Sequence, residues 1–311
     1  MSGAGRAIIA SASSHASGVT SMFHLDARQR ALWRRAFLIL SAAFAVVAWV
    51  VFTTGGGNPV DAWDFWVDPA NPYVPDDGHA YLYSPVFAQV TAPFRLVGFE
   101  AYVAVSRAVE LALAFWLAGP ALFLALLLPP VATEINAANI NLILVVAIVL
   151  GFRWPALWAI VLLTKPTMGV GLLWFVVRRD YRSLAIALGT TLAIAAVSFA
   201  INPGAWADYI WTLANTNPTP GWPFPWPIWV RLPFVLALVI WGSVTCRPWA
   251  VALGTMLAAP RLYFLSPVML LGLLPLMPRS PLAKRIRATC VIQDVPDPAA
   301  QSPTGQAAVS A

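Results

Sequence analysis

Between residues 36 and 277 the chain returns again and again to runs of apolar residues, with no long polar interval between them. This recurrence limits the fold more than any single motif does. A segment that crosses lipid must satisfy its own backbone hydrogen bonds, so repeated apolar runs of this kind become helices packed as a bundle. Only 10% of the 311 residues are charged and 59% are apolar, against about 25% charged in soluble domains. The expected fold class is an all-α polytopic membrane protein. The formal net charge of +6 sits in short clusters beside apolar segments, as membrane orientation signals do. Membrane lipids are therefore expected partners and nucleic acid is not.

The positions of the arginines assign a path. Arg28, Arg30, Arg34 and Arg35 precede the first apolar segment, 36–54, and place its start in the cytoplasm. Residues 1–30 then read as a mobile cytoplasmic tail, 31–278 as the membrane domain, and 279–311 as a disordered cytoplasmic tail with nothing to bury. Loop 55–85 falls on the extracytoplasmic side. Segment 84–97 is short and carries Pro93 and Arg95, so its path is open. Segment 101–119 places Arg107 and Glu110 one helical turn apart, where they would pair within the membrane. Later segments (141–152, 156–164, 167–177, 183–201, 228–241, 249–259 and 264–277) include several too short to span upright. Eight to ten spanning or partly spanning helices are expected, without an internal repeat. Lys165 and Arg261 are the clear basic residues left on the outer side. Cys246 and Cys290 sit beside arginines on the inner side, where thiols stay reduced, and have no zinc spacing.

Loop 55–85 concentrates acidic residues in a chain that has only 13. Asn58-Pro59 reads as a helix start, with Asn as N-cap and Pro at the first helical position. A short amphipathic helix should end by Asp68, because the residue before a proline is pushed out of the α region. Asp61, Asp64 and Asp68 would share one face and Trp63, Trp66 and Val67 the other, with the tryptophans in the membrane interface. An Asp three residues after the cap also supports a helix start by itself, so spacing alone leaves Asp61 with two readings. Asp68, Asp76 and Asp77 read as solvated loop carboxylates. His79 beside Asp76 and Asp77 is too sparse for a metal site, and neither metal nor other cofactor is expected.

Five stretches in order carry a resemblance: VDAWDFW from Val60, YLYSPVFAQ from Tyr81, AANIN from Ala137, LTKPTMG from Leu163 and AAPRLYFLSP from Ala258. Together they resemble the GT-C membrane glycosyltransferases, and most closely glycosyltransferase family 87, which includes polyprenol-phosphate-mannose-dependent mannosyltransferases. The family pattern has Gly-Gln where this chain has Ala138-Asn139, Tyr-Pro-Pro where it has Tyr83-Ser84-Pro85, and a late His where it has Arg261 and Tyr263. The resemblance implies a GT-C-like bundle in a bacterial cytoplasmic membrane. Its reaction would be inverting transfer of a hexose, mannose by analogy, from a polyprenyl-phosphate-linked sugar donor to a lipid or glycan acceptor outside the membrane. It implies Asp61 as general base with Asp64 in support, because a sugar hydroxyl is a poor nucleophile without one.

The substrate-binding candidates are Tyr83, Ser84, Pro85, Glu134, Asn139, Asn141, Lys165, Arg261 and Tyr263. Lys165 fits either the donor phosphate or a lysine snorkelling from a helix end, and Arg261 has the same two readings. Glu134, Asn139 and Asn141 suit sugar hydroxyls or a cavity wall, and helix capping explains the asparagines equally well. Trp222, Trp226 and Trp229 suit sugar stacking or an interfacial belt. Two other functions fit the sequence: a flippase for a lipid-linked substrate, and an inactive family member acting as an assembly partner.

Overall fold

The computed structural model describes residues 26–66, 73, 81–215, 223–224 and 226–293. Asp68, Asp76, Asp77, His79 and Trp222 lie outside these residues, as do residues 1–25 and 294–311. The fold is almost entirely helical. Helix α1 (Ala27–Thr54) leads through a glycine turn to α2 (Val60–Trp66), α3 (Pro85–Thr91), a 3₁₀ segment (Ala92–Val97) and α4 (Phe99–Ala118). Then come α5 (Leu122–Leu126), α6 (Pro129–Ala137), α7 (Asn141–Gly151), α8 (Trp158–Thr164), a 3₁₀ segment (Pro166–Leu172), α9 (Leu173–Val177), α10 (Tyr181–Ile201) and α11 (Pro203–Asn215). The last third holds β1 (Pro223–Phe224), α12 (Ile228–Val244), α13 (Pro248–Leu257), β2 (Leu262–Tyr263), a 3₁₀ stretch (Ser266–Leu276) and α14 (Pro281–Gln293).

Among the described residues three helical stretches are long and apolar enough to cross a membrane: α1, the run Phe99–Leu126, and α10. The pair α6 and α7, bent by 106°, makes a fourth if taken as one broken span, and five further apolar helices run to 10–17 residues. Together these nine full, broken or shorter apolar elements among the described residues agree with the eight to ten spanning or partly spanning helices expected. Segment 84–97 is not a span. It is a seven-residue helix running into 3₁₀, far short of the ~20 helical residues a bilayer core requires.

Helix α1 begins well before its apolar run. Asp26 caps it, accepting from the Gln29 N–H at 2.7 Å, while the Gln29 side chain takes the Asp26 N–H in return at 3.0 Å. It touches the bundle along a narrow stripe: Ser41 donates to the Pro120 carbonyl at 3.0 Å and Trp49 Nε1 to the Ala104 carbonyl at 2.9 Å. The centre belongs to α7, apolar all round, with Leu142, Leu144, Val145, Ile148 and Val149 fully buried. Beneath it lies the fully buried Trp158 ring, for which Gly171 leaves room; a Cβ there would collide with the indole and with Thr255 Oγ1.

Two helices depart from the sequence reading. Residues 203–215, read as loop, form α11, because Asn202 Oδ1 accepts from the Ala205 N–H at 3.1 Å with Pro203 following the cap. Residues 281–293, read as disordered, form α14, because Ala283, Ile286 and Cys290 recur at helical spacing and are buried on the bundle. Arg178 holds this helix in place, donating to Cys246 Sγ at 2.6 Å and to the Cys290 carbonyl at 3.1 Å.

Candidate active site

Helix α2 forms as its Asn-Pro start requires, and the Trp63 N–H donates to the Pro59 carbonyl at 3.0 Å. The orientation of its aromatic face differs from the expectation. Trp63 and Trp66 stack edge-on against Phe99 at 5.1 and 5.6 Å, and Trp66 also meets Tyr102 at 5.5 Å. The tryptophans thus dock α2 onto α4, although Trp63 stays 56% exposed. Asp61 lies half-buried on this docked helix.

Arg107, on α4, ties the end of α1 to the end of α6. It does not hydrogen-bond Glu110. Its guanidinium donates to the Phe52 carbonyl near the end of α1, and to the Asn136 carbonyl (2.7 Å) and Asn136 Oδ1 (3.3 Å) near the end of α6. Glu110 is buried, and its Oε2 has no hydrogen-bond partner among the described residues. Gly57 fits against the same node: a Cβ on it would overlap Asn136 Oδ1, the Phe52 carbonyl and Arg107 Nη2.

The sharp bend after α6 gathers the next residues. Ala138 adopts the left-handed conformation, φ 52° and ψ 54°, the region where glycine alone is unstrained. That accounts for the glycine at this place in the family pattern. Past the turn, Asn139 Oδ1 accepts from the neighbouring Ile140 N–H at 2.6 Å, one residue before the N-cap of α7. Glu134 reaches across the bend. Its Oε1 accepts from the Asn141 N–H at 2.9 Å and its Oε2 from Asn141 Nδ2 at 3.1 Å. Asn141 Oδ1 in turn accepts from Lys165 Nζ at 2.8 Å. Asp61 completes the group, close enough for its charge to act on Lys165, Glu134 and Glu110. A carboxylate from α2 and an ammonium from the end of α8 therefore act on the same buried polar bend.

The aromatic wall is also present. Tyr73 donates to the Tyr83 carbonyl at 2.7 Å and stacks on Tyr81 and Tyr209 at 5.6 and 5.7 Å. Burial pushes the Tyr73 and Tyr81 phenols up, so both hydroxyls remain protonated. The buried hydroxyls of Tyr81 and Ser84 have no hydrogen-bond partner among the described residues. Pro85 is buried as the first residue of α3.

Arg261 and Tyr263 occupy a different element, the ribbon in which β2 pairs antiparallel with β1. Arg261 donates to the Tyr263 hydroxyl at 3.2 Å. Under the ribbon lies an apolar groove of about 480 Å³ between α12, α13 and the last 3₁₀ stretch. Its rim is held by Arg231, a residue the sequence reading passed over. Arg231 donates to the carbonyls of Trp226 (3.0 Å), Ala259 (2.9 Å), Pro260 (3.2 Å) and Leu257. Its signal was a lone charge inside the apolar run 228–241. Trp226 and Trp229 remain exposed, and among the described residues no group of three His, Cys, Asp or Glu side chains is placed to hold a metal ion.

The described residues thus form a bundle of apolar helices with a polar bend inside it, near the Asp61 carboxylate of the short helix α2. The model of glycosyltransferase family 87 matches residues 81–291. The chain belongs to that family and is a glycosyltransferase. Neither the curated proteins nor the solved structures gave a match. The matched region includes the bend, Lys165 and the ribbon, and begins after Asp61 and Asp64.

Proposed function

We propose that the protein transfers a hexose, mannose by family analogy, from a polyprenyl-phosphate-sugar donor to a hydroxyl of a lipid- or glycan-linked acceptor, with inversion, at the extracytoplasmic face of a bacterial cytoplasmic membrane. The observation that carries this reading is Lys165, held by Asn141 at the α6–α7 bend, with the Asp61 carboxylate near enough for its charge to act on it. Inverting transfer needs a base on the acceptor side and positive charge on the leaving-group side, and these two side chains supply both within one site.

In the reaction, the acceptor oxygen forms its bond to the anomeric carbon as the bond from that carbon to the phosphate oxygen breaks. The acceptor proton passes to Asp61. The phosphate departs with the electron pair and is stabilised by Lys165, a compact point charge suited to phosphate. Asp64, one turn along α2, supports the acceptor side. Tyr83, Ser84 and Pro85 form the wall facing the sugar, backed by the buried Tyr81 ring. Arg261 and Tyr263 stand at the ribbon above the apolar groove.

The test is transfer in reconstituted vesicles supplied with radiolabelled polyprenyl-phosphate mannose and a membrane lipid extract as acceptor. A labelled lipid or glycan product of inverted anomeric configuration is expected. Transfer from a nucleotide sugar alone would overturn the donor assignment, and retention of configuration would overturn the single-displacement chemistry.

A further inference from the structure

The two oxygens of Glu134 and the two ends of the Asn141 amide form a chain that only one arrangement of donors and acceptors satisfies. Glu134 is 0% exposed. Both carboxyl oxygens of Glu134 act as acceptors, and Asn141 turns Nδ2 toward one of them at 3.1 Å. That leaves Asn141 Oδ1 pointing the opposite way, where it meets Lys165 Nζ at 2.8 Å. An ammonium can only donate, so this end matches as well. A second bond fixes the first link: the Asn141 backbone N–H, at the first position of α7 where no intrahelical acceptor exists, donates to Glu134 Oε1 at 2.9 Å. The carboxylate thus lies at the N-terminus of an 11-residue helix, where negative charge is favoured.

We propose that Glu134 is a positioning residue: it locks the Asn141 amide with Oδ1 toward Lys165, and so holds the ammonium where the leaving phosphate of the donor forms. The proposal rests on the donor reading above. Glu134 itself touches no substrate. Its influence passes through Asn141, and the polarity of the chain, rather than the presence of a polar group at the bend, does the work.

Glu134→Gln separates this role from simple capping. The Gln Oε1 still accepts the Asn141 N–H, so the bend keeps its cap. The Gln Nε2 now faces Asn141 as a donor, the Asn141 amide must flip, and Nδ2 is turned against the ammonium. Lys165 then loses its acceptor. The sequence contains two lysines, Lys165 and Lys284, so protein labelled with ε-¹³C-lysine gives two resonances, assigned through Lys284→Arg. In Glu134→Gln the Lys165 resonance should move and the Lys284 resonance should not. Asn141→Ala cuts the same chain at its middle link, should shift the same resonance, and serves if Glu134→Gln does not fold. In transfer assays with polyprenyl-phosphate mannose, KM for the donor should rise about ten- to hundredfold in each variant, the loss expected for one charged hydrogen bond. Combining Glu134→Gln with Lys165→Met should add little to Lys165→Met alone. An unmoved Lys165 resonance in a folded variant, or losses that multiply in the double variant, would overturn the proposal. If the wild-type protein uses a different donor, transfer fails in every sample while the resonance still reports the link, so the two failures are distinguishable.

Discussion

Gly57→Ala is the sharpest perturbation of the architecture that carries Asp61. The added methyl would fall on three atoms already committed to one another: Asn136 Oδ1, the Phe52 carbonyl and Arg107 Nη2. Two of the three are anchored. Arg107 is buried and bonded to both neighbours, and the Phe52 carbonyl belongs to α1. Neither can retreat without breaking a hydrogen bond, so the overlap should cost about 1–3 kcal/mol, the range for overpacking a filled site. For a chain of 311 residues that corresponds to a fall of roughly 3 °C in Tm, taking about 2 kcal/mol as the centre. Because Gly57 precedes Asp61 by four residues, transfer should fall further than stability does. Thermal unfolding in detergent and transfer in vesicles read the two effects separately. The Arg107→Met background supplies the control: with the guanidinium gone, the same glycine substitution should cost about half as much. A Gly57→Ala protein with wild-type Tm and wild-type transfer would refute the account of this node.

Two further substitutions test the bend and its foundation. Ala138→Gly should raise stability by about 0.5–1 kcal/mol in thermal unfolding, because glycine adopts φ 52° without the strain an alanine meets there. Gly171→Ala should lower stability by about 1–3 kcal/mol in the same measurement, since its methyl would meet the immobile Trp158 ring, and it should weaken transfer by displacing the segment that follows Lys165.

The sequence carried the local part of this structure well. Asn58-Pro59 marked the start of α2, and the ordered motifs located Asp61, Asn141 and Lys165 before their proximity was visible. The same Asn-Pro signal at Asn202-Pro203 marked α11, but the Trp- and Pro-rich context led to a loop assignment. In α14 the basic residues masked a buried face of Ala283, Ile286 and Cys290. The partners of Arg107 were harder to see, because Phe52 and Asn136 lie 55 and 29 residues away and both contribute backbone carbonyls. Glu110, one turn distant, was the natural sequence neighbour, yet the guanidinium donates to carbonyls in the last turns of two helices, where intrahelical partners are lacking. Arg231 was missed for the same reason: its acceptors at Trp226, Leu257, Ala259 and Pro260 are all main-chain oxygens, which leave no trace in residue identity.

The decisive measurement is transfer by Asp61→Asn, which keeps the shape of the side chain and removes its ability to take a proton. The variant should fold and retain Tm, bind polyprenyl-phosphate mannose as wild type does, and transfer about 10²–10⁴-fold more slowly, the range for loss of a general base. Transfer at the wild-type rate by folded Asp61→Asn would contradict the assignment of Asp61 as the base.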